Sequence, residues 1–183
     1  TLSIQNSSMA ELIKLITVEE VDSTNDFLRH YSGEEGERIT VALAEYQTAG
    51  RGQGENVWES ERGKNVTFSI KCAPQGLPVV RQYVMLEAGA IAVRDALEKY
   101  VGEITIKWPN DVYYRDSKIS GTLSECSVSS AGIRSCILGI GINVNQEVFS
   151  GNAPNPISLL NIRGVETNRM EVLRAVVERF DAY

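Results

Sequence analysis

The stretch ITIKWPNDVYYRDSKISGTLSECSVSSAGIRSCILGIGIN, residues 104–143, decides the fold. Its β-branched and apolar runs predict four short strands, over Ile104–Trp108, Val112–Tyr114, Lys118–Cys126 and Ile133–Asn143. Turn-forming residues separate the later runs, at 115–117 and at 129–132. Because successive strands joined by short turns pair antiparallel, this stretch predicts an antiparallel sheet.

The flanking segments add further strands and the helices that cover the sheet. Strands are predicted over Leu12–Val21, Arg38–Glu45 and Val66–Cys72. Helical periodicity predicts a long buried helix over Arg81–Tyr100 and an amphipathic helix from about Thr167 to the end. Shorter helices are expected after the capping run at 22–26 and at 157–160. The fold class is therefore α+β, with a mixed, largely antiparallel sheet packed against helices in one domain.

Composition and rare residues argue against several kinds of site. The net charge of −6 over 183 residues is opposite to that of a typical nucleic-acid-binding domain. Three scattered cysteines without a CxxC pair argue against a disulfide framework and a zinc site, and each is expected to be a buried, reduced thiol. The one histidine, His30, falls late in a predicted helix, so the chemistry is expected to proceed largely without imidazole. No apolar run is long enough to span a membrane, and no secretory signal is present, which predicts a cytoplasmic location.

Four segments have the composition of ligand contacts, although each has a plainer interpretation. In the long loop 46–65, the run GRGQG at 50–54 suits an anion, or is a flexible surface loop. The run KWPND at 107–111 projects polar side chains from a strand end, or is a simple turn. The run KISG at 118–121 places a lysine beside a glycine, although a lone lysine is usually solvated. The run GIGIN at 139–143 indicates either close approach of a ligand or a β-bulge.

Together and in this order, the motifs resemble those of the catalytic domain of biotin–protein ligases. The resemblance covers roughly residues 12–183 and includes Ser23-Thr24-Asn25 and the Trp58 that follows GRG. It implies the class II aminoacyl-tRNA synthetase-like fold of the biotin and lipoate ligases. It also implies an ATP-dependent ligase that forms biotinyl-5'-AMP and transfers biotin to a lysine of a biotin carboxyl carrier domain.

The resemblance implies a role for each motif residue. Contacts to biotin are implied for Ser23, Thr24, Asn25, Gln47, Gly50, Arg51, Gly52, Lys118, Gly121, Gly139 and Gly141. Contacts to the nucleotide are implied for Arg51, Gln53, Trp58, Asn110, Lys118 and Asn143, with Asn110 and Asn143 also near Mg²⁺. The implied catalytic residues are Lys118, Arg51 and Asp111, and Asp111 is the candidate acceptor for the amine proton. ATP and Mg²⁺ are expected as co-substrate and metal, without a tightly bound prosthetic group.

The chemistry of these residues agrees with that activity. A carboxylate that attacks the α-phosphorus of ATP is already ionised at neutral pH, so it needs no strong base. It needs alignment of two anions and neutralisation of their charge, for which Arg51, Lys118 and Mg²⁺ are suited. Two alternatives stay open: a biotin- or adenylate-binding module without transfer activity, and a lipoate or octanoate ligase or transferase of related fold. A transcriptional repressor is the weakest alternative.

The chain departs from the family pattern in the glycine-rich loop and is expected to be a catalytic domain alone. Family members often carry a basic residue directly after GRG and a glycine two positions later, where this chain has Gln53 and Glu55. Because an acid beside a phosphate is unfavourable, the loop is expected to retain the adenylate less tightly. Neither an N-terminal DNA-binding domain nor the family's small C-terminal β-barrel is expected within residues 1–183. The expected assembly is a monomer or weak homodimer without nucleic-acid or membrane partners, and the carrier is expected to dock along the Val112–Glu125 strands.

Overall fold

The fold is that of a computed structural model, which describes residues 13–33, 36–130, 132–151 and 155–183. The strands are β1 (Ile13–Val21), β2 (Ile39–Gln47), β3 (Val66–Cys72), β4 (Ile104–Lys107), β5 (Asp111–Tyr114), β6 (Ser117–Ser129) and β7 (Gly132–Ile142). The helices are α1 (Thr24–His30), α2 (Tyr83–Leu97), α3 (Leu159–Arg163) and α4 (Arg169–Ala182), and a 3₁₀ turn, Val79–Arg81, precedes α2. The strands form one seven-stranded sheet in the order β1-β2-β3-β7-β6-β5-β4.

The sheet is mixed because α1 returns the chain between its first two strands. β1 and β2 therefore run parallel. Every other neighbouring pair in the described sheet is antiparallel. The predicted α+β class is confirmed, and the strands differ from the predicted ranges mainly at their ends. Leu12, the first residue of the first predicted strand, lies outside the described residues.

One face of the sheet carries the hydrophobic core. Alternate residues of its central strands are buried on this face, namely Val41, Leu43, Phe68, Ile70, Leu138 and Ile140. The two long helices, α2 and α4, pack on it through Ala90, Val93, Leu97, Val172, Leu173 and Val176. Since a slip of one residue would move every strand side chain to the opposite face, this burial fixes the register.

The opposite face is covered only in part. Short α1 packs on it and places Leu28 against Ala42 and Ile137. Beyond α1, the strands present small or polar residues instead, namely Thr67, Gly121 and Gly141. No described helix covers this area, and the candidate site lies over it.

A buried amide network fixes the place where the long loop 46–65 returns to the sheet. Asn65 is 2% exposed; it accepts a hydrogen bond from Val144 N at 2.9 Å and donates to Gln146 Oε1 at 2.6 Å. Gln146 Oε1 also accepts from Glu61 N at 3.0 Å. Because these amides satisfy buried backbone groups, they hold the end of the loop against the end of β7.

The carrier was expected to dock along a sheet edge at Val112–Glu125. For the first strand of this range the expectation is wrong. β5 is an inner strand, paired with β4 on one side and with β6 on the other. β6 pairs with β5 only as far as Gly121, and among the described strands its remaining length pairs with β7 alone. The part of β6 that has a free edge is therefore Leu123–Ser129. None of the described helices combines the length and the apolar composition that crossing a bilayer requires.

Candidate active site

A cavity of about 580 Å³ lies on the partly covered face of the sheet. Its lining gathers almost all of the residues that the sequence motifs singled out: Ser23, Thr24, Asn25, Gln47, Arg51, Gly52, Gln53, Trp58, Asn110, Asp111, Lys118, Gly121, Gly139, Gly141 and Asn143. The exception is Gly50, which packs behind the loop, where a Cβ atom would collide with the backbone carbonyl of Trp58. The structure therefore places these residues on one surface, and their individual roles stay predictions.

Several lining residues were not singled out from the sequence. They are Asn56, Val57, Glu59, Thr67, Phe68, Lys107, Tyr113, Thr122, Leu123, Ile140, Phe149, Gly151 and Pro156. Glu55, expected from the sequence to lie beside the phosphate, also lines the cavity. The alternation of strands could have identified Thr67 and Leu123, because Thr67 pairs with Gly141 and Leu123 with Gly139. No motif marks Phe149, which follows the last strand.

Glycines make the floor of the cavity. Gly141 and Gly121 face each other across β7 and β6, and Asp111 continues the same row on β5. A Cβ on Gly141 would lie 2.6 Å from Trp58 Nε1, and one on Gly139 would lie 2.5 Å from Asn25 Oδ1. Side chains at both glycines would therefore displace Asn25 and Trp58, which stand on the sheet. The strand register is regular through the GIGIN run, so no β-bulge lies there, and approach by a ligand stays a prediction.

A corner of the cavity is rich in hydrogen-bond acceptors. Thr24 donates from its backbone N and from Oγ1 to Gln47 Oε1, at 2.8 and 3.0 Å. Thr24 Oγ1 also lies 2.7 Å from Ser69 Oγ, which donates to Asn25 Oδ1 at 2.6 Å. Two hydroxyl protons thus serve three side-chain contacts, so one contact always lacks a proton. The corner is suited to a ligand that brings N–H donors.

Ser23 extends this corner toward the cavity. It stands at the N-cap of α1, yet its side chain makes no capping hydrogen bond. The hydroxyl of a serine at an N-cap ordinarily accepts a hydrogen bond from one of the first helical amides. Because that bond is absent here and Ser23 lines the cavity, its hydroxyl is available to a ligand.

Another part of the cavity lining, called the cationic end, carries Lys118 and Arg51, each paired with a carboxylate. Lys118 Nζ lies 2.8 Å from Asp111 Oδ1, and both side chains are mostly buried. Arg51 Nη2 lies 3.2 Å from Asp26 Oδ1 and 3.1 Å from Glu125 Oε1. These paired charges make this end able to accept an anion by exchanging partners.

The glycine-rich loop folds as a small hydrogen-bonded hairpin over residues 50–58. Arg51 and Val57 form an isolated antiparallel bridge, Gly52 N donates to Asn56 O at 2.7 Å, and Trp58 N donates to Gly50 O at 3.0 Å. This small hairpin lays the Trp58 indole on Gly141. Trp58 Nε1 is buried and has no hydrogen-bond partner among the described residues.

The two asparagines predicted near a metal, Asn110 and Asn143, each have a side-chain oxygen available as a metal ligand, because their side-chain nitrogens donate to backbone carbonyls. Asn110 donates through Nδ2 to Thr122 O at 2.7 Å, and Asn143 through Nδ2 to Lys118 O at 3.5 Å. Their Oδ1 atoms have no partner among the described contacts. The described residues contain no group of three His, Cys, Asp or Glu side chains placed to hold a metal ion. Two neutral amide oxygens could contribute to a Mg²⁺ ion held mainly by phosphates.

The three cysteines, distant in sequence, lie side by side on the helix-covered face. Cys136 of β7 pairs with Cys72 of β3 and with Cys126 of β6. All three are free thiols; Cys136 is buried and the other two are half-buried. Burial raises the pKa of Cys72 to about 11 and raises the pKa of Cys136 as well.

We expect slow alkylation of Cys72 in the folded chain at pH 8.5, by about a hundredfold relative to an ordinary thiol, because the thiolate is the reactive form. The measurement is iodoacetamide labelling followed by peptide mass spectrometry, with the denatured chain as the control. Since the folded pKa is raised, the stability contributed by the neutral thiol is present below pH 9 and lost as the pH rises toward about 11. Labelling of Cys72 as fast in the folded as in the denatured chain would contradict this.

Comparison with known proteins adds an independent finding. The model of the biotin/lipoate A/B protein ligase family matches residues 17–143. A bifunctional ligase/repressor BirA from Bacillus spizizenii is 31% identical over 173 residues, which are 91% of this chain and 52% of the relative. The biotin--[acetyl-CoA-carboxylase] ligase of Mycobacterium tuberculosis is 29% identical over 92% of this chain and 63% of the relative. The chain spans about half the length of the first of these relatives.

Solved structures agree with the sequence relatives. The biotin protein ligase from Aquifex aeolicus in complex with biotin and ATP is 33% identical, with a TM-score of 0.77 over 92% of this chain and 69% of that one. The biotin protein ligase from Leishmania major in complex with biotinyl-5-AMP has a TM-score of 0.76 at 23% identity, covering 91% of this chain and 73% of that one. This chain therefore shares its fold, a mixed and largely antiparallel sheet with helices, with these structures.

Proposed function

This chain belongs to the biotin/lipoate A/B protein ligase family, and from that premise we propose that it activates biotin with ATP and transfers it to a carrier lysine. One observation carries the proposal: a single cavity joins an acceptor-rich corner to a cationic end. The ureido ring of biotin brings two N–H donors, and its carboxylate and the phosphates of ATP are anions. The ligands named in the Aquifex aeolicus structure match both ends of the cavity.

In the first step, a biotin carboxylate oxygen attacks the α-phosphorus, and the bond from that phosphorus to the bridging oxygen breaks. Pyrophosphate leaves with the electron pair, and biotinyl-5'-AMP remains. Ser23, Thr24 and Gln47 hold the ring, while Lys118 and Arg51 bring the two anions together by offsetting their repulsion. No base is required, which agrees with an active site that lacks histidine.

In the second step, the amine nitrogen of a carrier lysine attacks the acyl carbon, and the carbon–oxygen bond to the phosphate breaks. AMP leaves with the electron pair, and the amine must lose a proton. Asp111 is the proposed acceptor, because its carboxylate lines the cavity beside Lys118. The pair with Lys118 holds that carboxylate in one place.

Mg²⁺ is proposed to enter with the nucleotide, where it neutralises phosphate charge. Asn110 and Asn143 are the side chains proposed to reach it through Oδ1. The carrier is proposed to dock on the free edge of β6, Leu123–Ser129, which adjoins the cavity through Leu123. The cytoplasmic location expected from the sequence stays a prediction.

The test of this function is biotin-dependent exchange of labelled pyrophosphate into ATP in the presence of Mg²⁺. Exchange followed by transfer to a carboxyl carrier domain is the expected result. Biotin binding without exchange would identify a binding module instead. Exchange that requires lipoate or octanoate rather than biotin would assign the chain to the other branch of the family.

The loop sequence predicts leakage of the intermediate. Glu55 is exposed at the cavity lining, and a carboxylate there opposes the adenylate phosphate. Replacing Glu55 with glutamine is expected to slow release of biotinyl-5'-AMP about threefold, the size of one exposed charge interaction. Release is measured by trapping free adenylate in single turnovers, with Glu61→Gln as the matched loop control. Release from the unchanged chain no faster than transfer to the carrier would count against the leaky loop.

A further inference from the structure

Two carboxylates that do not line the cavity hold the loop arginine. Asp26 of α1 and Glu125 of β6 both contact Arg51 Nη2, at 3.2 and 3.1 Å. Glu125 lies on the same face of β6 as the cavity-lining Leu123, two residues further along. None of the roles proposed above uses either carboxylate.

The nitrogen that they occupy, Arg51 Nη2, takes part in every bidentate contact that a guanidinium can make. A guanidinium presents two edges to a carboxylate or phosphate, Nε with Nη2 and Nη1 with Nη2. Both edges include Nη2, whose two protons point to Asp26 and Glu125 in this arrangement. Arg51 therefore has to leave at least one carboxylate before it can grip a ligand anion with two hydrogen bonds.

Glu125 keeps other partners when Arg51 leaves. Asn25 Nδ2 donates to Glu125 Oε2 at 3.0 Å from the buried side. Arg29 Nη2 donates to both oxygens of Glu125, at 3.0 and 2.9 Å, and Arg29 also pairs with Asp26. Because Arg29 continues to neutralise both carboxylates, the release of Arg51 costs little and is reversible.

The same carboxylate is linked to the acceptor-rich corner. Asn25 donates to Glu125 through Nδ2 and accepts from Ser69 through Oδ1, and Ser69 contacts Thr24. Asn25 thus sets the position of Glu125 from the end of the cavity that is proposed to hold the ring. Both the nitrogen and the oxygen of its amide make hydrogen bonds, so Asn25 links Glu125 to the acceptor-rich corner.

We propose that Glu125, supported by Asp26, is a positioning residue that holds Arg51 in reserve until a ligand anion replaces the carboxylate. This proposal rests on the proposed function, because the competing anion is the biotin carboxylate or the adenylate phosphate. Glu125 sets the affinity for the anion through Arg51 and contributes nothing to the ring.

The test compares biotin with biotinol, its uncharged alcohol, by calorimetry at low salt. Replacing Glu125 with glutamine keeps the shape and one oxygen that can accept from Asn25 and Arg29. The amide nitrogen accepts no hydrogen bond and the side chain is neutral, so the hold on Arg51 weakens. Biotin is expected to bind about fivefold more tightly to E125Q, the size of one partly exposed ion pair, and biotinol within twofold of the unchanged chain. E125D keeps the charge but shortens the side chain, so it is also expected to bind biotin more tightly than the unchanged chain.

Arg51→Ala supplies the control for general charge effects. In that background E125Q is expected to leave biotin affinity unchanged, since the residue through which Glu125 acts is gone. A fivefold gain that persists in R51A, an equal gain for biotinol, or weaker binding of biotin to E125Q would each overturn the proposal. If the unchanged chain binds neither biotin nor biotinol, it is the proposed function that fails.

Discussion

Replacing Lys118 with alanine is expected to reduce biotin-dependent pyrophosphate exchange by at least about a hundredfold, the usual effect of removing one preorganised charge from a reacting phosphate. Lys118 Nζ stands over the glycine floor beside Gly121 and 2.8 Å from Asp111. Its loss removes the cation and leaves the Asp111 carboxylate facing two ligand anions. Both changes raise the barrier to bringing the carboxylate and the α-phosphate together.

The exchange assay separates this effect from a loss of binding. Biotin affinity is expected to fall much less than the exchange rate, because the acceptor-rich corner at Thr24 and Gln47 is untouched. Lys99→Ala, an exposed change of the same charge at the end of α2, is the matched control and should exchange normally. Exchange within threefold of the unchanged chain in Lys118→Ala would remove Lys118 from the mechanism.

The second large effect is expected at Gly141. Its replacement by alanine places a methyl group 2.6 Å from Trp58 Nε1, so the indole has to leave the sheet. Overpacking of this kind costs about 1–3 kcal/mol. Because the family resemblance implies that Trp58 contacts the nucleotide, we expect the KM for ATP to rise at least about tenfold, which corresponds to roughly 1.4 kcal/mol of binding.

The measurement is exchange kinetics at varied ATP, together with the melting temperature. Gly102→Ala is the matched control, because a Cβ atom there meets nothing within 4 Å. Biotin affinity is expected to change little in Gly141→Ala, since the hydrogen bonds of the corner at Thr24 do not involve Trp58. An unchanged KM for ATP would mean that the position of the Trp58 indole has no influence on the nucleotide.

The sequence predicted the fold through local patterns that the structure retains. The apolar runs from Ile104 to Asn143 become β4 to β7, and the capping run at 22–26 starts α1. The end of β2 was predicted wrongly: the strand predicted to end at Glu45 continues to Gln47. This extension places the Gln47 side chain beside Thr24. Motif glycines at 121, 139 and 141 indicated the floor of the cavity because side chains are excluded there.

What the sequence could not show depends on pairing between distant strands. Nothing near Glu125 in the chain indicates that it contacts Arg51, 74 residues away. The cysteines illustrate the same point, since only the strand order brings Cys72, Cys126 and Cys136 together. Similarly, Val112–Tyr114 was expected at a free edge and lies in an inner strand, because a local hairpin pattern does not specify which strand is outermost.

The alternation of the central strands has a consequence for how this chain can change. On β3 and β7, residues 66, 68, 70, 138, 140 and 142 build the core, while residues 67, 139 and 141 on the opposite face line the cavity. Selection on ligand preference and selection on stability therefore act on separate, interleaved sets of positions. A combinatorial library would therefore vary Thr67 and Leu123, which line the cavity without belonging to the core. It would keep Gly139 and Gly141, where a side chain would displace Asn25 or Trp58.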